Sequence, residues 1–180
     1  MPKSPRAEVL RRRSFRIISW IFTLFFGTAA VGLTISLAYD LSSETLTGAA
    51  VSLGILTVVH HICGSRILLN QSSLTIVNPF FTHIVPYKLI ADVTPGGDGT
   101  LTIVTRQGDE IRCTAFGGSI IDHFVGSTER AAERIQIRLK RKHRNAEHLT
   151  INKRFTVAWT ADLCTVGAII GTAVTKLIGF

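Results

Sequence analysis

"HHIC" places His60, His61 and Cys63 at the end of an apolar run, and all three are side chains that could bind zinc or a similar ion. A protein metal site needs three or four converging ligands, and no second cluster of such residues follows, so the sequence is read without a metal. Ser119, Asp122 and His123 have the residue types of a nucleophilic triad. Set on one helical turn they point in different directions, so they cannot pass a proton along a line. "GGDG", Gly96 to Gly99, lacks both the strand–loop–helix context and the lysine of a phosphate-binding loop and reads as a turn. Asp162 stands in an otherwise apolar stretch, where an acid is costly and by default a functional candidate. It lies close enough to the start of that stretch to reach the headgroup region or to pair with Lys153 or Arg154. No catalytic residue, cofactor or metal ligand is assigned, and the chain is not read as an enzyme.

The densest charge is "RLKRKHR", Arg138 to Arg144. Nucleic-acid binding would call for a recognition fold or interleaved aromatics, and neither is visible, so no nucleic-acid partner is expected. The same charge flanks an apolar segment and helps fix its topology. Lys140, Arg141, Lys142 and Arg144 are the candidate contacts for anionic lipid, where each base near a charged leaflet contributes roughly 1 kcal/mol.

The elements that position these residues follow from composition. The chain has 180 residues, 46% of them hydrophobic and 18% charged, with a mean hydropathy of +0.33. That combination suits a few membrane spans joined to a small water-facing domain. The net charge is +8, and its distribution is uneven. Lys3, Arg6, Arg11, Arg12, Arg13 and Arg16 precede Ile17 with only Glu8 against them. Residues 17–39 carry no charge and would make a helix of about 34 Å, enough to cross a hydrocarbon core of roughly 30 Å. Residues 46–63 form a second uncharged run, and "DLSSE" between them is short enough to force a transmembrane hairpin. A buried soluble helix is the alternative for the second run. Basic flanks stay in the cytoplasm, so residues 1–16 are placed inside, "DLSSE" outside, and the chain from Ser65 inside again. "RRRSFRI" and "SLA", Ser36 to Ala38, also resemble a cleavable twin-arginine signal. The length of the first run and the closeness of the second favour an uncleaved anchor. Residues 155–177 form a third candidate span, with a surface-lying helix as its alternative. In it "GAIIG", Gly167 to Gly171, sets two small residues four apart for close helix packing.

Between the second and third spans the pattern changes to short β-like runs: "RILLN" (66–70), "LTIVN" (74–78), "HIVPY" (83–87) and "ADV" (91–93). "LTIVTRQGDEIRCTAF" reads as a hairpin around Gln107 and Gly108, with Ile111, Cys113 and Ala115 on one face. Ser119 is then the expected N-cap of a helix whose apolar stripe is Ile121, Phe124, Val125, Thr128, Ala132, Ile135 and Leu139. The cysteines Cys63, Cys113 and Cys164 are isolated and imply no disulfide framework.

These elements resemble the bacterial membrane-anchored pleckstrin-homology-like (PH-like) proteins of actinobacterial type. The resemblance runs from Arg66 to Leu139. It is carried by Leu74-Thr75-Ile76-Val77-Asn78-Pro79, by Ile84-Val85-Pro86-Tyr87 leading to Ile90 and Val93, and by Gly108-Asp109-Glu110-Ile111. That family commonly has an aliphatic-Pro-Trp step where Val85-Pro86-Tyr87 stands. It implies a bent antiparallel sheet capped by a C-terminal helix, a fold that fixes no function. The expected organisation is a basic N-terminus (1–16), a transmembrane hairpin (17–64), an α+β PH-like domain (65–141), a basic linker (142–154) and a third transmembrane helix (155–177). The expected function is a binding or scaffolding module tethered at the cytoplasmic face of the cell membrane. Its partners would be the bilayer, anionic headgroups, and another protein or a second copy. The alternative is a non-enzymatic or enzymatic subunit of a membrane transport complex using Asp162, His60 and His61 within the bilayer.

Overall fold

Uncharged runs long enough to cross a bilayer fold as helices because every backbone donor and acceptor is then satisfied within the segment. The computed structural model describes residues 7–39, 42–96, 99–117, 127–140 and 150–177. Three helices in it are long and apolar enough to span a membrane: α1 (Arg13–Ser36), α2 (Ser43–Cys63) and α4 (Trp159–Leu177). The first begins four residues earlier and ends three earlier than the uncharged run, since Arg13 and Arg16 continue the helix. Ser42 starts α2, its hydroxyl accepting from the Thr45 N–H at 3.2 Å. Ile17, Trp20, Ile21, Leu24 and Phe25 stay exposed along α1, as lipid-facing side chains would.

These helices form one unit, and their packing rests on small residues. A Cβ on Gly171 would lie 3.3 Å from the Ala50 Cβ, and one on Gly167 would lie 3.0 Å from Leu53 Cδ1. Gly167 and Gly171 therefore face α2, the close approach that their spacing suggested. Gly48 does the same toward α1, with Leu33 Cδ1 at 3.1 Å from its added Cβ.

The second unit, residues 1–12 and 64–156, is built of strands. Chain order gives β1 (Glu8–Leu10), β2 (Arg66–Leu69), β3 (Ser73–Val77), β4 (Phe81–Pro86), β5 (Ile90–Pro95), β6 (Leu101–Thr105), β7 (Glu110–Arg112), α3 (Ser127–Lys140) and β8 (Asn152–Phe155). One antiparallel sheet runs β1-β2-β3-β4-β8 and the other β5-β6-β7. Alternation places Ile67, Leu69, Leu74, Ile76, Val85, Val93, Leu101 and Ile103 in a common core with Ile135 of α3. The hairpin between β6 and β7 turns at Gly108, whose φ of 90° is the positive value expected there. Ile111, Cys113 and Ala115 are buried on one face.

Three sequence expectations change. The N-terminal segment is not only a basic flank, because Glu8–Leu10 pairs with β2, Leu10 opposite Ile67. The linker expected over 142–154 ends in β8, which pairs with β4. The third helix begins at Trp159 rather than Phe155, because Phe155 belongs to β8 and the Thr156 N–H donates to the Phe80 carbonyl at 3.0 Å. Of the stripe assigned to the capping helix, Thr128, Ala132 and Ile135 are buried in α3 and Leu139 packs against the core. Ser119, Ile121, Phe124 and Val125 lie outside the described residues.

Ile135 is fully buried beneath both sheets' core residues. Replacing Ile135 by Ala should cost about 2–5 kcal/mol, from lost apolar burial and the cavity left behind. Against a total stability of roughly 5–15 kcal/mol that is a large fraction. Denaturant unfolding of the purified full-length protein should show it, and an unchanged midpoint would contradict this helix face.

Candidate functional site

In the sheet unit the strands β4, β7 and β8 frame an open cleft of about 550 Å³. It is lined by His83 of β4, Lys153 of β8, Gln107 and Asp109 of the β6–β7 turn, and Glu110 of β7. Ile111 and Ile151 supply apolar lining. The turn is held firmly. The Thr105 N–H donates to the Asp109 carbonyl at 2.9 Å, and the Asp109 N–H donates to the Thr105 hydroxyl at 3.0 Å. Burial, helped by the Lys153 ammonium, pushes the His83 imidazole below its usual range, so it favours the neutral form. Any stability His83 contributes through this shift is present above pH 6.5 and lost as pH falls through its lower folded value. A cleft with both signs of charge and two isoleucines suits a mixed polar and apolar ligand better than a bare anion.

Tyr87 and Cys113 belong to the interior. The Tyr87 hydroxyl donates to the Asn70 carbonyl at 3.1 Å. Burial pushes its pKa up to about 12, with Glu8 adding to the rise and Arg138 opposing it. The Cys113 thiol is pushed up to about 12 by burial alone and is therefore a poor nucleophile.

The helical unit brings other polar groups together. His61 Nε2 lies 3.6 Å from Asp162 Oδ1, joining the last turn of α2 to the first turn of α4. The second Asp162 oxygen accepts from the Ala158 N–H at 3.1 Å, and a carboxylate there suits the positive end of a helix. Sequence considerations point to Lys153 or Arg154 as partners for Asp162; the carboxylate meets His61 instead. Nearby, His60 Nε2 is 3.4 Å from the Thr23 hydroxyl of α1. The Thr165 hydroxyl of α4 donates to the Ala161 carbonyl at 2.9 Å and lies 3.3 Å from the Thr57 hydroxyl of α2. Hydrogen bonds between helices in lipid contribute about 0.6 kcal/mol each on average, so this layer aligns the helices more than it stabilises them. Among the described residues no three His, Cys, Asp or Glu side chains converge as a metal set.

The basic run is only partly described. Arg138 is engaged within its own unit, its guanidinium 3.4 Å from Glu8, with Arg134 at 3.2 Å from the same carboxylate. Lys140 ends α3 and is exposed, while Arg141, Lys142 and Arg144 lie outside the described residues, as do Asp122 and His123. Sequence reasoning missed the cleft because part of its wall is Thr150, Ile151 and Lys153, at and just before β8, and four residues reading "NKRF" give no periodic signal. No family model, no curated protein and no solved structure matches this chain.

Proposed function

We propose that the protein is a membrane-tethered binding module, non-enzymatic, whose sheet unit recognises a partner at the cytoplasmic membrane surface. The observation that carries this reading is the pairing of β1 with β2 on either side of the helical hairpin. Leu10 lies three residues before α1 and Arg66 three residues after α2. A sheet cannot be divided by a bilayer, so the start of α1 and the end of α2 share one side. Strand β8 leads into α4 across three residues in the same way. A folded recognition unit is thereby leashed at three points, an arrangement that limits its reach to partners at the bilayer.

The PH-like resemblance is supported by the β2-β3-β4 meander with β1 and β8 at its edges, by the β5-β6-β7 meander, and by a helix after them. The basic N-terminus supports a cytoplasmic sheet unit. The cleft between β4, β7 and β8 is the surface offered to the partner. A photo-crosslinking residue in place of Gln107, in native membranes, should give a discrete adduct that Lys153→Glu weakens. The same probe in place of Gln71 should give none. Equal labelling from both positions, or none from either, would contradict the cleft as the recognition surface.

The paired His61 and Asp162 favour a second reading, a transport subunit with a polar path between helices. Sealed vesicles separate the two. With the protein reconstituted, a pH gradient should decay as in empty vesicles, and Asp162→Asn should leave that decay unchanged. Faster decay that Asp162→Asn abolishes would establish the transport reading instead.

A further inference from the structure

The β3–β4 hairpin turns through Pro79 and Phe80, closed by the Asn78 N–H donating to the Phe81 carbonyl at 3.1 Å. Three phenylalanines gather at this end of the sheet: Phe80 is 68% exposed, Phe81 36% and Phe155 77%. The Phe81 and Phe155 rings are 5.2 Å apart, directly paired across β4 and β8. Each phenylalanine side chain carries about 150–250 Å² of surface, so one tip shows water a contiguous apolar patch.

This tip is held rigid. The Asn78 amide donates to the Arg112 carbonyl at 2.8 Å, and its oxygen accepts from the Thr114 N–H at 2.9 Å. Arg112 ends β7 and Thr114 follows it, so the turn is pinned to the end of the other sheet. The Thr156 hydroxyl donates to the Asn78 carbonyl at 2.9 Å and lies 2.8 Å from the Thr82 hydroxyl. An exposed aromatic cluster on so fixed a turn is a built surface rather than a frayed end.

Chain geometry identifies what covers it. Arg66 pairs with Val77 beside the turn and is three residues past the end of α2. Phe155 is four residues before the start of α4. At about 3.3–3.6 Å per residue, these strand ends lie no more than about 10–14 Å from the ends of two candidate spans. The polar interface of a bilayer is itself roughly 5–7 Å deep on each side. Cations flank the rings: Lys153 Nζ sits 4.2 Å over the Phe81 ring, and Arg154 is opposite Thr82. Apolar rings rimmed by bases match the boundary between acyl chains and anionic headgroups.

We propose that Phe80, Phe81 and Phe155 insert into the lipid interface as an anchor that fixes the sheet unit against the bilayer. The proposal rests on the membrane reading of the helices, and it holds whichever compartment the sheet unit occupies. The β3–β4 tip is thereby added to the lipid contacts expected of Lys140, Arg141, Lys142 and Arg144.

Single-tryptophan proteins in vesicles test it. One keeps Trp20 alone in α1, with Trp159→Phe. Two others lack both native tryptophans and carry Phe80→Trp or Gln71→Trp, the latter at the opposite end of the β2–β3 ladder. Lipid brominated near the headgroup end of its chains should quench Phe80→Trp strongly and Gln71→Trp little, with acrylamide showing the reverse order. Adding Phe155→Asp should return the Phe80→Trp emission toward the red and weaken the lipid quenching. Acrylamide quenching of Phe80→Trp equal to that of Gln71→Trp overturns the proposal. Protection from both quenchers overturns it too, since a protein then covers the tip. Quenching of Trp20 by lipid in either case leaves the membrane reading intact; its absence overturns both readings together.

Discussion

Leu10 pairs with Ile67, and between those two residues the chain makes two passes long enough to cross a bilayer. That one antiparallel contact ties the organisation of the molecule together. It returns the second helix to the side from which the first departed. It brings Glu8 within ion-pair distance of Arg134 and Arg138 on α3, so the capping helix is fastened to the strand that precedes α1. These are exposed or half-exposed pairs, worth roughly 0–1 kcal/mol, and the ladder and the buried Leu10 contribute more to the closure.

Within the helices the physical problem is different, because lipid offers no hydrophobic drive for association. Gly167, Gly171 and Gly48 let backbones approach, and the threonines return their hydroxyls to carbonyls of their own helices, as Thr34 does to Ala30 at 2.7 Å. Ser52 does the same to Gly48 at 2.8 Å. Those hydroxyls are thereby satisfied without water. Other polar groups meet across helices: His60 with Thr23, Thr165 with Thr57 and, near the helix ends, His61 with Asp162, whose carboxylate also completes the first turn of α4.

The central strands were legible because each carries a strong local signal. Alternation over Leu74 to Val77 and over Leu101 to Thr105, with Gly108 at the turn, specifies two hairpins without knowledge of the rest. The small-residue spacing of Gly167 and Gly171 indicated a helix contact for the same reason. The edge strands were not legible. "EVL" is too short to show a period, and "NKRF" is charged and wholly exposed, as edge strands that resist further pairing often are. Their existence depends on partners about sixty to seventy residues away in the sequence. The bond from Asp162 to His61 is likewise set by helix register, which spacing within one helix does not reveal. Phe80 and Phe81 read as an interruption between strands, and their role emerges only once Phe155 is placed beside them.

Closure of the sheet across the hairpin is tested most directly by a disulfide between Val9→Cys and Leu68→Cys in the full-length protein in its membrane, with native cysteines replaced. These positions are opposite one another in the antiparallel ladder. Such residues have Cα atoms about 4.5–5.5 Å apart, within the range a disulfide bridges. Mild oxidation should form the intramolecular bond in nearly all of the protein, and a Val9→Cys partner moved to Gln71→Cys should not form it. Two thiols that both react with maleimide yet never join would show that β1 does not pair with β2. The hairpin would then lose the contact that fixes it.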